Sequence, residues 1–152
     1  MEIKAQDDSI KILLVEDNPG DVRLVLAALE NAELSARVTV AKDGVDALAF
    51  LRGEGRYAKA PLPQLIVLDL NLPKKDGREV IREIQDDSRL RNIPVVILTT
   101  SEHEKEILSI CGHGRNRYIT KPFELDHFMA VGQSIKDFLA HECHVAVDGE
   151  KP

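Results

Sequence analysis

The sequence predicts a single α/β domain built on a parallel sheet. Apolar runs of strand length recur at residues 12–15, 38–40, 65–68 and 95–98, with a weaker fifth at 118–120. The first, third and fourth are continuous rather than alternating, as strands buried on both faces of a parallel sheet are. A helical pattern follows each run, and a repeated β–α alternation defines this class. Right-handed crossovers then leave few topologies.

After the first run, Val22, Val25, Leu26 and Leu29 share one face of a helix predicted over 20–32. Asp43-Gly44 punctuates the second run, and Val45, Leu48 and Leu51 follow at helical spacing. Residues 53–64 contain Gly53, Gly55, Pro61 and Pro63 and read as a loop before the third strand. Asp76-Gly77 opens the third helix, with Val80, Ile81 and Ile84 on its apolar face. Ile107, Leu108 and Cys111 mark a fourth helix, and Leu125, Phe128, Met129, Ile135, Phe138 and Leu139 a longer fifth. Val131, Phe138 and Leu139 widen the apolar stripe of that last helix, which suits core burial and self-association equally. The expected organisation is an N-terminal arm over 1–9, one domain over 10–143 and a frayed tail over 144–152.

A chain of 152 residues is long enough to bury a real core. Trp is absent and aromatics make up 4%, so that core must be aliphatic. Twenty Lys+Arg against 26 Asp+Glu leave a net charge of −6, without the basic surplus of a dedicated nucleic-acid binder. Lys74-Lys75 and Arg115-Asn-Arg117 therefore read as solvated loop charges or part of a partner-facing rim. Cys111 and Cys143 make no disulfide framework, so a reducing, cytoplasmic setting is expected. The first residues lack the apolar stretch of a secretory signal, and no run approaches the ~18 residues of a membrane span. Cys111, His113, His141, Cys143 and His144 match no standard zinc-ligand spacing.

Ligands of open α/β sheets bind outside the carboxyl ends of the strands. Glu16 and Asp17 follow the first run, Asp69-Leu-Asn71 the third, Thr99-Thr-Ser101 the fourth and Lys121-Pro122 the fifth. Each alone has an ordinary explanation. Asp17 fits a helix cap, Asp69 a strand-end turn, Ser101 with Glu104 a capping box, and Lys121 a solvated turn. Together they bring three carboxylates, a hydroxyl cluster and an ammonium to one rim. Gathered carboxylates repel, and some protonate unless a cation joins them. A hard divalent ion resolves this, and Mg2+ suits a site that keeps waters and takes a phosphate. Asp17 and Asp69 are candidate direct ligands, Glu16 a ligand through water, and a backbone carbonyl near Asn71 another. Such a site fits phosphoryl transfer, with Asp69 as nucleophile, Lys121 neutralising the transferring group and Thr99 donating its hydroxyl to a phosphoryl oxygen.

At this point the chain resembles the receiver domain of bacterial two-component response regulators over about residues 10–140. The motifs are Ile12-Leu-Leu-Val-Glu-Asp-Asn18, Leu68-Asp-Leu-Asn-Leu-Pro73, Asp76-Gly77, Pro94-Val-Val-Ile-Leu-Thr-Thr100 and Tyr118-Ile-Thr-Lys-Pro-Phe123. The resemblance implies a flavodoxin-like, doubly wound five-stranded parallel sheet of order 2-1-3-4-5. It implies that Asp69 accepts a phosphoryl group from a sensor histidine kinase, with Mg2+ held by Glu16, Asp17, Asp69 and Asn71. It further implies Thr99 and Tyr118 as the switch pair, Lys121 as the phosphate contact, and a cis Lys121–Pro122 peptide. Val15-Glu-Asp-Asn-Pro-Gly-Asp-Val-Arg-Leu24 is similar to stand-alone regulators of cyanobacterial phytochromes, which makes a red/far-red sensor kinase the expected partner. Output is then a protein contact, with a homodimer through the fourth and fifth helices and fifth strand as one form, and no direct contact with nucleic acid or membrane.

Two positions depart from the family pattern. Residues 112–117 are more basic and Gly-rich than usual, and Thr100 stands where many receivers carry Ala, which predicts slower loss of phosphate. Other classes fit less well. A phosphatase with an aspartyl nucleophile needs an acid two residues on, where this chain has Asn71. A flavin-binding domain needs a phosphate loop where this chain has Glu16-Asp17. A degenerate receiver acting as a phosphorylation-independent binding module has no reason to keep Glu16, Asp17, Asp69, Thr99 and Lys121 together.

Overall fold

The structure, a computed structural model, describes residues 9–72, 74–100, 116–122 and 124–142. Its elements are β1 (Ile10–Val15), α1 (Pro19–Asn31), β2 (Ala36–Ala41), α2 (Gly44–Arg52), β3 (Leu65–Asp69), α3 (Gly77–Asp86), β4 (Val95–Thr99), β5 (Asn116–Thr120) and α4 (Leu125–Glu142), with a short 3-10 turn at Gly55–Tyr57. All strand pairings are parallel and the order is β2-β1-β3-β4-β5, as the resemblance implies. The fourth helical pattern, with Ile107, Leu108 and Cys111, lies outside the described residues. So do His113, the Ser101 and Glu104 pair, Cys143 and His144.

The order explains which strands were continuous in the sequence. β1, β3 and β4 are central and nearly wholly buried, whereas β2 and β5 are edges with alternating or partial burial. Alternation along the central strands splits the core into two layers. Ile12, Leu14, Leu65, Val67, Val96 and Leu98 face α1 and α4. Leu13, Val15, Ile66, Leu68, Val95 and Ile97 face α2 and α3. Val131, Phe138 and Leu139 of α4 are buried in the first layer, which settles them as core.

The helices start where their caps put them. α1 is capped by Asn18, whose side chain accepts from Asp21 N at 3.0 Å, with Pro19 at its first position. Asp17 is therefore free of the capping role that the sequence allowed. Asp43 caps α2, and Gly53 closes it in the left-handed region at φ 66°. Asp76 and Glu79 form a reciprocal capping box at α3. Between α1 and α4 the backbones touch: a Cβ added at Gly132 would lie 2.0 Å from the Ala28 carbonyl oxygen.

Candidate functional site

Register places the charged residues together. Val15 and Leu68 are paired on adjacent strands, so Glu16 and Asp69, the next residue of each, emerge side by side at the carboxyl rim. Thr99 pairs with Thr120, and Lys121 follows. Glu16, Asp17 and Asp69 each offer a carboxylate oxygen within 4.8 Å of the others. Glu16 and Asp69 are 1% and 6% exposed, so two of the three acids are out of water, while Asp17 is exposed.

Lys121 reaches into this group and is itself only 8% exposed. Its ammonium donates to Glu16 Oε1 at 3.1 Å, Asp21 Oδ2 at 2.8 Å and Asp69 Oδ2 at 2.9 Å. The other oxygens are also engaged. Asn71 N donates to Asp69 Oδ1 at 3.0 Å, and Asn18 N donates to Glu16 Oε2 at 3.3 Å. Burial pushes the Glu16 carboxyl up to about 7; the charge and hydrogen bond of Asp69 add to the rise, and Lys121 opposes it. Burial by itself would lower Lys121. Its hydrogen bonds to Asp21 and Asp69, with the charges of Asp69 and Glu16, outweigh that and hold the ammonium above its ordinary range.

The segment after Asp69 is pinned from both sides. Gly77 N donates to the Leu70 carbonyl at 3.1 Å, and a Cβ at Gly77 would fall 2.7 Å from Leu70 Cα. A Cβ at Gly44 would lie 2.4 Å from the Lys75 carbonyl oxygen, so α2 presses its first turn on this segment. Lys74 holds a left-handed φ of 66° and pairs with Asp43 at 3.4 Å. Lys75 donates to Glu83 of α3, which also accepts from Arg52 of α2 at 2.8 Å.

Thr99 is fully buried at the end of β4, and its carbonyl accepts from Lys121 N at 2.6 Å. Tyr118 is half-buried against the α2/α3 layer, and Thr100 is exposed. One expectation is corrected. Among the described residues every peptide bond is trans, including Lys121–Pro122. A bond before proline prefers trans by about 0.5–1 kcal/mol, and the trans form already places Lys121 on its three carboxylates. Asp21 is the contact that the sequence reading missed. An acid in the first turn of a helix is common for dipole reasons, so nothing in the local sequence marks it.

The donor set fits a hard divalent cation, with three clustered carboxylates, two of them buried, and one of these already raised towards protonation, first by burial and then by Asp69. Among the described residues no helix is long and apolar enough to cross a membrane.

Fold and rim together define a receiver of two-component signalling. Residues 12–132 match the response regulator receiver domain family, and the chain belongs to it. It is 44% identical over 127 residues to Response regulator Rcp1 of Synechocystis sp., covering 84% of this chain and 86% of that protein. A crystal structure of the phosphorylated cyanobacterial phytochrome response regulator RcpA superposes with a TM-score of 0.78 at 47% identity, covering 88% of this chain and 95% of that one. The Mn2+-bound form of Rcp1 superposes with a TM-score of 0.78 at 42% identity, covering 91% and 98%.

Proposed function

We propose that this receiver is a phosphorylation switch in which Asp69 accepts a phosphoryl group from a phosphohistidine of a sensor kinase. The observation that carries the reading is the meeting of Glu16, Asp17, Asp69 and Lys121 at one rim. A carboxylate oxygen of Asp69 attacks phosphorus; the O–P bond forms as the P–N bond breaks, and the donor imidazole nitrogen keeps the electron pair. Asn71 N and Lys121 fix the Asp69 carboxylate before attack. Lys121 then neutralises charge on the transferring group. Glu16, Asp17, Asp69 and the Asn71 carbonyl are the residues to hold Mg2+, which when bound supplies further positive charge against the phosphoryl oxygens.

The phosphoryl group adds charge and acceptor oxygens at one point. Thr99 donates its hydroxyl to one of them, and Tyr118 follows inward as the second switch residue. Output passes through the β5–α4 side to a protein partner or a second copy. The likeness to the phytochrome response regulator RcpA, and to Rcp1, supports a phytochrome-type kinase upstream. Thr100, beside Thr99, shields the acyl phosphate and lengthens its life; Thr100→Ala shortens it.

Incubation with acetyl phosphate and Mg2+, read by intact mass, tests the central step. A gain of about 80 Da, one phosphoryl group, is expected in the native chain, and neither in Asp69→Asn nor after chelation of the metal. A native chain that never gains this mass overturns the reading.

A further inference from the structure

An ammonium has three N–H donors, and in Lys121 all three end on carboxylates. Glu16 and Asp69 belong to the clustered acids of the rim. Asp21 does not. It stands in the first turn of α1, and its side chain is 29% exposed against 1% and 8% for the other two. Its contact, at 2.8 Å, is nevertheless the shortest of the three.

The placement is enforced by a closed ring of hydrogen bonds. Asn18 N donates to Glu16 Oε2 at 3.3 Å, and Asp21 N donates to Asn18 Oδ1 at 3.0 Å. Lys121 Nζ donates to both Asp21 Oδ2 and Glu16 Oε1, which closes the circuit. Gly20 leaves room for the ring: a Cβ there would press on Asn18 Oδ1 at 3.1 Å. The cap that starts α1 thus aims the Asp21 carboxylate at Lys121.

We propose that Asp21 is a positioning residue that keeps the Lys121 ammonium at the rim while its other two partners change hands. The proposal rests on the phosphoacceptor reading. A divalent ion draws on the Glu16 and Asp69 oxygens that Lys121 also uses, and phosphorylation makes one Asp69 oxygen the bridge of an acyl phosphate and removes that carboxylate's charge. Asp21 lies outside the clustered acids, so its bond to Lys121 survives both events. A lysine ammonium is a point charge on a flexible stem. Without Asp21, its position at the moment of transfer depends on the two acids that are then being consumed.

The test compares Asp21→Asn, Asp21→Ala and Asp21→Glu with the native chain. Loss of a charge-assisted hydrogen bond predicts a fall of about tenfold or more in the maximal rate of Asp69 phosphorylation by acetyl phosphate at saturating Mg2+ in the Asn and Ala variants. Asp21→Glu recovers most of that rate. Mg2+ affinity by calorimetry stays within about threefold, the effect of one nearby charge that is not a ligand. A wild-type maximal rate in Asp21→Ala overturns the proposal, as does a lower urea midpoint with unchanged rate, the signature of a helix-dipole acid alone. A second measurement is independent of phosphorylation. Nitrogen-15 NMR of the Lys121 ammonium at saturating Mg2+, with the ion drawing on the Glu16 and Asp69 oxygens, is expected to show slow proton exchange in the native chain and fast exchange in Asp21→Ala; equal exchange in both overturns the proposal. A native chain that is never phosphorylated defeats the phosphoacceptor reading instead, and the ammonium measurement then decides Asp21 by itself.

Discussion

The two helical layers on this sheet share an aliphatic core but differ in what joins their helices above it. On one side α1 and α4 cross with their backbones in contact at Gly132 and Ala28, over a continuous aliphatic layer closed by Phe128, Ile135, Phe138 and Leu139. On the other side an equally buried aliphatic layer is supplemented by ions between α2 and α3. Glu83 takes Arg52 and Lys75 together, and Asp46 accepts from the Tyr57 hydroxyl at 3.0 Å, beneath an Arg56 guanidinium 4.7 Å from the Tyr57 ring centre. Both layers are intolerant of added volume at their close approaches, Gly132 in the first and Gly44 and Gly77 in the second, and the second also responds to charge. The site takes one part from each: the α1 layer brings Asp21 to Lys121, and the α2/α3 layer pins the segment after Asp69.

Substitutions that break the first layer carry the largest expected effects. Phe128→Ala removes a side chain that is 1% exposed and should cost about 4 kcal/mol in urea unfolding. Gly132→Ala should cost about 2 kcal/mol, although alanine favours helix by ~1 kcal/mol, because its Cβ meets the Ala28 carbonyl. An unchanged urea midpoint would show that the two helices slide apart freely. Gly44→Ala is expected to be milder for stability, at about 1–2 kcal/mol, yet to displace the Lys75 carbonyl. Its signature is slower phosphorylation of Asp69 with the fold intact. Asp76→Ala removes half of the capping box and should cost about 1 kcal/mol.

The smallest effect sharpens the contrast by pH. Hydrogen bonds from Lys75, then Arg52, hold the Glu83 carboxyl below its ordinary value. The stability this lends is present above the unfolded-state pKa and is lost as pH falls through the lower folded one. Glu83→Gln should therefore cost about 0.5 kcal/mol near neutrality, the scale of a half-exposed ion pair, and nothing in strong acid. A gap between Glu83→Gln and the native chain that stays constant down to strong acid would remove the charge argument for this layer.

Legibility in the sequence followed how local each cause was. β1, β3 and β4 announced themselves because a strand buried on both faces must be apolar throughout. β2 and β5 were read short, since Ala36-Arg37 and Asn116-Arg117 are held by main-chain pairing with β1 and β4 and not by apolar side chains. Glu16, Asp17, Asp69, Thr99 and Lys121 were legible because each ends a strand, and strand ends share a rim. Asp21 was not, because its partner lies 100 residues away and only the folded α1–β5 geometry joins them. The trans Lys121–Pro122 bond was likewise beyond reach of local pattern, and the resemblance pointed to the other isomer.

The bond from Lys121 to Glu16 spans 105 residues, and that to Asp69 spans 52. Contacts so distant along the chain close only after the intervening loops have been ordered. A nascent or partly unraveled polypeptide therefore possesses the acids but not the pocket. On the proposed function, competence to be modified at this rim doubles as proof of completed folding, which would confine the signal to intact molecules.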